Sequence, residues 1–430
     1  MGVHNEADKL RERLFSTDYL CLLAANFLLY FGFWLLVPIL PFWLIETQNC
    51  PKAAMGAVLC LYAISGLFIR PFSGYFLDKF PRKPLYIACY AVCASMFLGY
   101  MTANSITHIV LLRIAHGLAF GAVTVGGNTL CVDISPSSRR GEALGYYGLT
   151  NNAAMALGPM TGLLMHGSVP FRGIFLTGLS LSLVGLLCAL CVRARTPKSL
   201  RLKALAKSNP DVMNPKNLTG KGRGKRNILS IVSLDRFILP KAIPVSISLL
   251  LLSIPYGATT NYVALYARES GLNVPSGFFF TLMAIGMGVA RIVAGKRVDQ
   301  GLITQCIKLG FWPVSLAFIL LGSCRFLPND VAIAIFYLVP LLMGGGFGVM
   351  FPAMNSLYIN LAPNEKRATA TGTYLTAWDV GLFLGIFSGG IIANIASFAV
   401  VYLAGGAICL ISMTFFIRYV TPHFYANRLR

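Results

Sequence analysis

Four charged side chains lie within stretches that are otherwise apolar, and they are the first candidates for chemistry. Asp379 is the one acid placed in this way, and the bases are Arg70, Arg113 and Arg291. A charge at the centre of a lipid bilayer costs at least ~2.5–3.5 kcal/mol, so each one needs a partner or a water-filled cavity. Asp379 is therefore either a carboxyl that binds and releases protons or a structural partner of a buried group, and the sequence leaves both open.

The three arginines differ in their distance from the ends of their apolar stretches. Arg70 and Arg291 lie about one helical turn from an end, so their long side chains can reach the surface. Arg113 lies deeper, and we interpret it as a cavity cation that acts together with a proton or an anionic ligand. His116 shares its helix face. We keep His116 with Asp379 and Arg113 as the proton-coupling candidates, although a packing role suits it better.

Amide and aromatic side chains in the apolar stretches are candidates for lining a cavity. Aromatic residues in such stretches also pack against neighbours or anchor a helix at the membrane surface. With Arg113, the candidates are Asn26, Tyr30, Trp34, Asn128, Tyr256, Asn261, Asn355, Tyr374 and Trp378.

Other kinds of site are not supported by the sequence. Cys188 and Cys191 form a CxxC in the middle of an apolar stretch, without the second pair or histidine of a metal site. Cys50 and Cys324 both fall at the ends of apolar stretches and could pair. There is no nucleophile–base pair and no phosphate-binding Gly-x4-Gly-Lys-[Ser/Thr] loop. We therefore expect neither an enzyme nor a metal site.

Composition indicates a membrane protein. Apolar residues make up 56% of the 430-residue chain and charged residues 12%, about half the usual share for a soluble domain. Runs of about 20 apolar residues occur twelve times, six on each side of a polar stretch. They lie at 20–44, 54–76, 84–103, 106–131, 144–166, 172–193, 242–266, 275–294, 303–324, 329–352, 370–394 and 396–418.

The net charge of +21 is distributed by side of the membrane. If these runs span it, 29 of the 36 Lys and Arg fall on the side of the termini and four on the other. The positive-inside rule then places both termini in the cytoplasm of an inner (plasma) membrane protein, and nucleic acid is not expected as a partner. The basic linker at 194–240 is expected to contact anionic lipid headgroups, with Asn227 to Leu239 as a short surface helix.

The stretch from Arg113 to Gly162 occurs twice. A shift of 227 positions places it without a gap on Pro340 to Gly389, with thirteen of fifty positions identical, mostly Gly, Pro, Asn and Arg. Two related halves are the natural interpretation. The expected divisions are a cytoplasmic head at 1–19, six-helix bundles at 20–193 and 241–418 joined by the linker, and a cytoplasmic tail at 419–430.

A second repeat lies at the ends of two apolar runs. Arg70-x3-Gly74-x3-Asp78 is followed by Arg82-Lys83, and its echo is Arg291-x3-Gly295-x3-Asp299. The first copy resembles the signature loop between helices 2 and 3 of the major facilitator superfamily, with Pro81 where glycine is usual. The resemblance covers essentially the whole chain.

Two further motifs resemble the proton-coupled drug antiporter branch of that family. Arg113-x2-His116-Gly117 is similar to its helix-4 motif, with histidine where glutamine is commoner. The run from Gly145 resembles its helix-5 antiporter motif, through Gly145, Gly158, Pro159 and Gly162, with Ala154 and Leu163 replacing two glycines.

The resemblance implies an all-α membrane protein of twelve transmembrane helices in two pseudo-symmetric six-helix bundles, which we expect to be a monomer. It implies alternating access, driven by a proton gradient without a cofactor, and export of small amphipathic or anionic compounds. The alternatives are proton-coupled uptake of a sugar, organic acid or siderophore, and a receptor or scaffold without transport. A conformational latch at the cytoplasmic turns would consist of Gly74, Asp78, Arg82, Lys83, Arg139, Arg140, Asp299 and Arg367.

Overall fold

The structure, a computed structural model, describes residues 14–136, 139–193, 238–363 and 366–429. Of residues 71, 74, 75, 77–79, 141, 292–299, 367 and 368 it describes the backbone alone. The predicted surface helix at 227–239 therefore lies almost entirely outside the described residues.

The described chain is built from twelve long helices, one for each predicted apolar run. A π-helical turn at Phe416–Val420 follows the twelfth and leads into a short terminal helix, α13. The helices are α1 (Thr17–Glu46), α2 (Lys52–Lys79), α3 (Arg82–Thr102), α4 (Ile106–Ile134), α5 (Arg140–Met165), α6 (Phe171–Cys191), α7 (Ile243–Glu269), α8 (Gly277–Asp299), α9 (Ile303–Ser323), α10 (Asn329–Leu361), α11 (Arg367–Ile395), α12 (Phe398–Phe415) and α13 (Thr421–Asn427).

The predicted all-α membrane fold is confirmed. Ten of the long helices are long and apolar enough to cross a membrane. In α8 the described apolar part runs over Gly277–Arg291, and α5 carries adjacent polar residues at Asn151 and Asn152. The first helix, α1, continues through Pro38 and Pro41.

Glycines shared by the two copies of the repeat make equivalent helix contacts in each half. A Cβ added to Gly121 on α4 would lie 2.7 Å from the carbonyl oxygen of Gly66 on α2. At the equivalent Gly348 on α10 it would lie 2.6 Å from the carbonyl oxygen of Met287 on α8. Only glycine permits such close backbone approach, so the repeated sequence specifies repeated packing.

The halves meet on the side of the membrane opposite to the chain termini, which we call the far side. There α2 packs against α11, where a Cβ on Gly56 would lie 3.0 Å from the Cα of Gly390. Ion pairs also cross the boundary, between Lys52 Nζ and Glu269 Oε2 at 2.5 Å and between Arg268 and Glu46. The far side is closed.

The halves diverge toward the other side, which we call the termini side. Gly145 on α5, Gly288 on α8 and Gly372 on α11 lie on the helix faces that make the far-side contacts, several turns further along. An added Cβ at any of the three would meet no neighbouring atom within 4 Å. The space between the halves therefore opens toward the termini side.

The two cysteines that could have paired are both free. Cys50 Sγ lies 3.7 Å from the carbonyl oxygen of Pro51, and Cys324 Sγ lies 3.3 Å from that of Leu320. Each thiol satisfies its weak donor on nearby backbone of its own segment.

Candidate functional site

A cavity of about 390 Å³ lies between the two halves. It is lined by α1, α2, α4 and α5 from the first half and by α7, α8, α10 and α11 from the second. This volume lies in the range of small-molecule sites. The two sets of helices are equivalent under the repeat, so the cavity lies on the axis that relates the halves.

An ion pair between Arg70 on α2 and Asp379 on α11 joins the halves at this cavity. The side chain of Asp379 is 15% exposed and that of Arg70 is 33% exposed. Arg70 is near enough to the helix end to reach the membrane surface, but its guanidinium turns inward to this carboxylate. The partner of Asp379, which the sequence left unassigned, is therefore Arg70.

Arg113 on α4 lines the same cavity and is only 6% exposed. Its Nη2 donates a hydrogen bond of 2.9 Å to the carbonyl oxygen of Leu59. Its guanidinium carbon lies 4.7 Å from the ring centroid of Tyr62, in a cation–π contact. The buried Nε has no hydrogen-bond partner among the described residues. The Tyr100 hydroxyl also hydrogen-bonds this guanidinium, so Nε is the donor that the described residues leave unpaired.

Arg291 on α8 also lines the cavity, half-buried, instead of extending to the surface. Among the described ion pairs, none includes Arg113 or Arg291. Three arginines and one aspartate therefore give the described cavity lining a formal charge of +2.

His116 lies outside the cavity lining and is 2% exposed. Its Nδ1 lies 3.1 Å from the hydroxyl of Tyr100, and its ring packs against Tyr62, Phe97 and Phe120. This ring is enclosed by aromatic side chains and joins α4 to α3, which is the packing role, and its part in proton coupling stays a prediction.

Most of the predicted lining residues do face the cavity, and three amides do not. Asn26 is fully buried between α1 and α5, where its Nδ2 donates to Thr150 Oγ1 at 2.7 Å and to the Tyr147 carbonyl at 3.1 Å. Asn128 and Asn355 also lie outside the lining, and Asn128 Nδ2 donates to the Thr124 carbonyl. The predicted residues that do line the cavity are Tyr30, Trp34, Arg113, Tyr256, Asn261, Tyr374 and Trp378.

Two neighbouring asparagines of α5 line the cavity and were missed. Asn151 accepts a hydrogen bond of 3.4 Å from Trp34 Nε1, and Asn152 lies beside it in the lining. The signal that would have found them is the repeat itself, because the shift of 227 aligns them with Trp378 and Asp379.

The described latch candidates make bonds within the first half. Arg82 Nη1 donates to both carboxylate oxygens of Asp133, at 2.6 and 2.8 Å, and joins α3 to α4. Lys83 donates to the Leu190 carbonyl at 2.9 Å. Arg139 forms an ion pair with Glu142 at 2.7 Å, and Arg140 is exposed. Only the backbone is described at Gly74, Asp78, Asp299 and Arg367, so a latch between the halves stays a prediction.

The helix-5 motif residues shape the wall next to Trp34. A Cβ on Gly158 would lie 2.8 Å from the Cβ of Trp34, and one on Gly162 would lie 2.6 Å from the Leu35 carbonyl oxygen. Pro159 is inside α5, whereas Gly145 lies in the open part near the termini side. The motif thus holds α5 close against α1 at the level of the cavity.

Comparison with known proteins yields matches along most of the chain. The family model described as Major Facilitator Superfamily matches residues 22–386. The quinolone resistance protein NorA of Staphylococcus aureus (strain MSSA476) is 23% identical over 384 residues, which cover 88% of this chain and 91% of that protein. The MFS-type transporter YhhS of Escherichia coli (strain K12) is 22% identical over 401 residues, which cover 90% and 89%. The crystal structure of the nucleoside transporter NupG superposes with a TM-score of 0.71 at 15% identity, covering 93% of this chain and 98% of that one.

Proposed function

Because the chain belongs to the major facilitator superfamily and is thus a multi-pass membrane transporter and not an enzyme, we propose that it performs proton-driven export of small amphipathic or anionic compounds. The observation that carries this proposal is the ion pair between Arg70 and Asp379. It places the one acid of the described cavity lining on the boundary between the halves, where a change in its charge acts on both.

Proton coupling follows from the chemistry of this pair. The ionised carboxylate attracts the guanidinium of the opposite half and stabilises the present approach of α2 and α11. Protonation of Asp379 removes that attraction, so the energy of the two conformations depends on the proton. A proton gradient then supplies the energy, and no cofactor is needed.

The conformation of the protein suits alternating access. The far side is closed by packed helices and ion pairs, and the cavity opens toward the termini side. With the termini in the cytoplasm, as the positive-inside rule predicts, this is the state that takes up a compound from inside the cell. The opposite state requires the halves to rock, and the latch defined above would close the cytoplasmic side.

Export is supported by the relatives and by one motif. NorA is named for quinolone resistance, and the helix-5 motif packs α5 against α1 beside the cavity. In this proposal the carrier moves outward with its compound and Asp379 ionised, and it returns with Asp379 protonated. It acts as a monomer in the plasma membrane, with its basic linker near anionic lipids.

Proton-coupled uptake is a second candidate, favoured by the charge of the cavity. The lining carries a formal charge of +2, and protonation of Asp379 neutralises its carboxylate and raises this net charge by one. A proton and an anionic compound would then strengthen each other's binding. Such positive linkage favours movement of both in the same direction across the membrane.

Inside-out vesicles distinguish the two candidates. The vesicles are made acid inside, and a dye reports luminal pH while drugs, fatty acids, bile salts or sugars are supplied in turn. A compound added to the medium should release luminal protons from the wild type but not from Asp379→Asn. The matched control is Asp330→Asn, an exposed acid at the far-side end of α10, which should behave as the wild type.

Release that occurs only when the compound is loaded into the lumen would replace export by uptake. Release that survives in Asp379→Asn would remove Asp379 from coupling. If no compound moves protons in either arrangement, both candidates are wrong and the receptor class gains support.

A further inference from the structure

We propose that the ligand of the cavity is an organic anion, recognised by Arg291 and Arg113, and that Asn152 is the residue that keeps the site open to anions. The inference rests on the proposed function in taking this cavity as the transport site. It does not depend on the direction of transport or on proton coupling.

The argument starts from the symmetry of the two halves. In the helix pair α2 and α11, Arg70 of α2 is neutralised by Asp379 of α11. In the symmetry-related pair α8 and α5, α8 is the counterpart of α2, and Arg291 begins the same Arg-x3-Gly-x3-Asp spacing as Arg70. The counterpart of α11 is α5.

The residue that corresponds to Asp379 is Asn152, because the shift of 227 that superposes the repeats aligns these two positions. Both residues line the cavity, as do Arg70 and Arg291. An amide oxygen can accept a hydrogen bond from a guanidinium but cannot neutralise it. The helix pair α8 and α5 therefore has the arginine but lacks the carboxylate.

Arg113 adds a second positive charge of the same kind. It is only 6% exposed, and its contacts include a carbonyl oxygen, the hydroxyl of Tyr100 and an aromatic ring face. None of these contacts carries a negative charge, and the buried Nε has no partner among the described residues. A guanidinium in this condition binds a carboxylate, sulfonate or phosphate strongly, since both charge and geometry match.

The rest of the lining selects the body of the ligand. Aromatic rings from both halves surround the charged groups, and α5 contributes only uncharged side chains, those of Asn151, Asn152 and Met155. A ligand with an aromatic or branched apolar body and one anionic group would satisfy both features. A cation of the same shape would meet a lining with an excess of positive charge.

The test is a binding measurement on the purified full chain in detergent by isothermal titration calorimetry. The probes share one body and differ in charge: 4-tert-butylbenzoate, 4-tert-butylbenzylamine and 4-tert-butylbenzyl alcohol. We expect the benzoate to bind at least about tenfold more tightly than the amine, a difference of about 1.4 kcal/mol. Equal affinities, or tighter binding of the amine, would overturn the proposal.

Asn152→Asp is the decisive variant, because it restores the missing carboxylate opposite Arg291. It should reduce benzoate affinity at least about tenfold, because the new carboxylate would neutralise Arg291 as Asp379 neutralises Arg70. Asn329→Asp adds the same acid at an exposed position at the far-side end of α10, outside the cavity lining, and is the matched control. It should retain benzoate binding within about threefold. Unchanged benzoate affinity in Asn152→Asp would refute the role given to this residue.

Arg291→Gln provides a route that does not add a buried acid, in case the aspartate variant folds poorly. It should weaken the benzoate and leave the alcohol unchanged. Benzoate binding without any proton flux in vesicles would support this inference while the proposed coupling fails. Proton-coupled flux of the amine alone would overturn the inference and leave the coupling intact.

Discussion

Arg70 and Asp379 pair across the boundary between the halves, part-way along α2 and α11. Both lie on the helix stripes that carry Gly56 and Gly390, which pack against each other at the far side. The pair lies about three to four turns further toward the termini, and Gly372, two turns beyond, meets open space. The long arginine side chain thus joins two helices that pack together at their far-side ends and have open space at Gly372.

The first prediction concerns the stability of this pair. Arg70→Gln or Asp379→Asn alone should leave one charge without its partner and destabilise the protein by about 1–3 kcal/mol, less than the ~3–5 kcal/mol of a fully buried pair because both groups are partly exposed. The double variant should recover most of this loss. Thermal unfolding in detergent measures the cycle. Additive losses in the double variant would show that the pair does not stabilise this conformation.

The second prediction concerns Glu269, which organises the far side. Its carboxylate binds Lys52 of the other half at 2.5 Å, Arg325 at 3.0 Å and the backbone N–H of Phe398 at 3.2 Å. Glu269→Gln removes the charge that holds both cations, so the population should shift toward a state with an open far side.

Spin labels at Thr47 and Asn273, exposed far-side positions of the two halves, measure that shift by electron–electron distance after replacement of the native cysteines. The control is Glu142→Gln, because Glu142 pairs with Arg139 within one half. An unchanged distance distribution in Glu269→Gln would show that helix packing alone closes the far side.

The third prediction uses two glycines of α11. At Gly390 an added Cβ would lie 2.7 Å from the Cα of Gly56, whereas at Gly372 it meets no neighbour within 4 Å. Gly390→Leu should therefore hold the far side open, with a longer distance between the same spin labels. Gly372→Leu should leave this distance unchanged. Similar behaviour of the two variants would contradict the divergence of the halves along α11.

The fourth prediction separates packing from coupling at His116. His116→Ala leaves a space among Tyr62, Tyr100 and Phe120 and should destabilise the protein by about 2–4 kcal/mol. His116→Gln keeps an acceptor for the Tyr100 hydroxyl and should be milder. Both variants should retain proton release for each molecule transported, measured in the vesicle assay. Loss of release in the glutamine variant with normal thermal stability would assign the imidazole to the proton path.

The sequence by itself determined the helices, the two halves and the types of residue in the cavity. Twelve apolar runs separated by polar loops specify twelve helices, because a buried backbone must satisfy its hydrogen bonds within each segment. The repeated glycines mark where helices approach closely, since a side chain at Gly121 would meet the backbone of α2 and one at Gly348 would meet the backbone of α8. Tyr30, Trp34, Tyr256, Asn261, Tyr374 and Trp378 were recognised from residue type and helix position, and they line the cavity.

Only the tertiary structure decided which charges meet. The distance of Arg70 from a helix end allows its side chain to reach the surface, but its partner Asp379 lies 309 positions away in the other half. In the sequence, Asn26 and His116 are candidates of the same kind as Tyr30 and Arg113. In the structure, α5 covers Asn26 and α3 covers His116, so neither lines the cavity. Local pattern fixes the face of a helix on which a residue lies. The rotation and tilt of that helix against its neighbours, which sum many weak packing contacts along the whole chain, decide what that face touches.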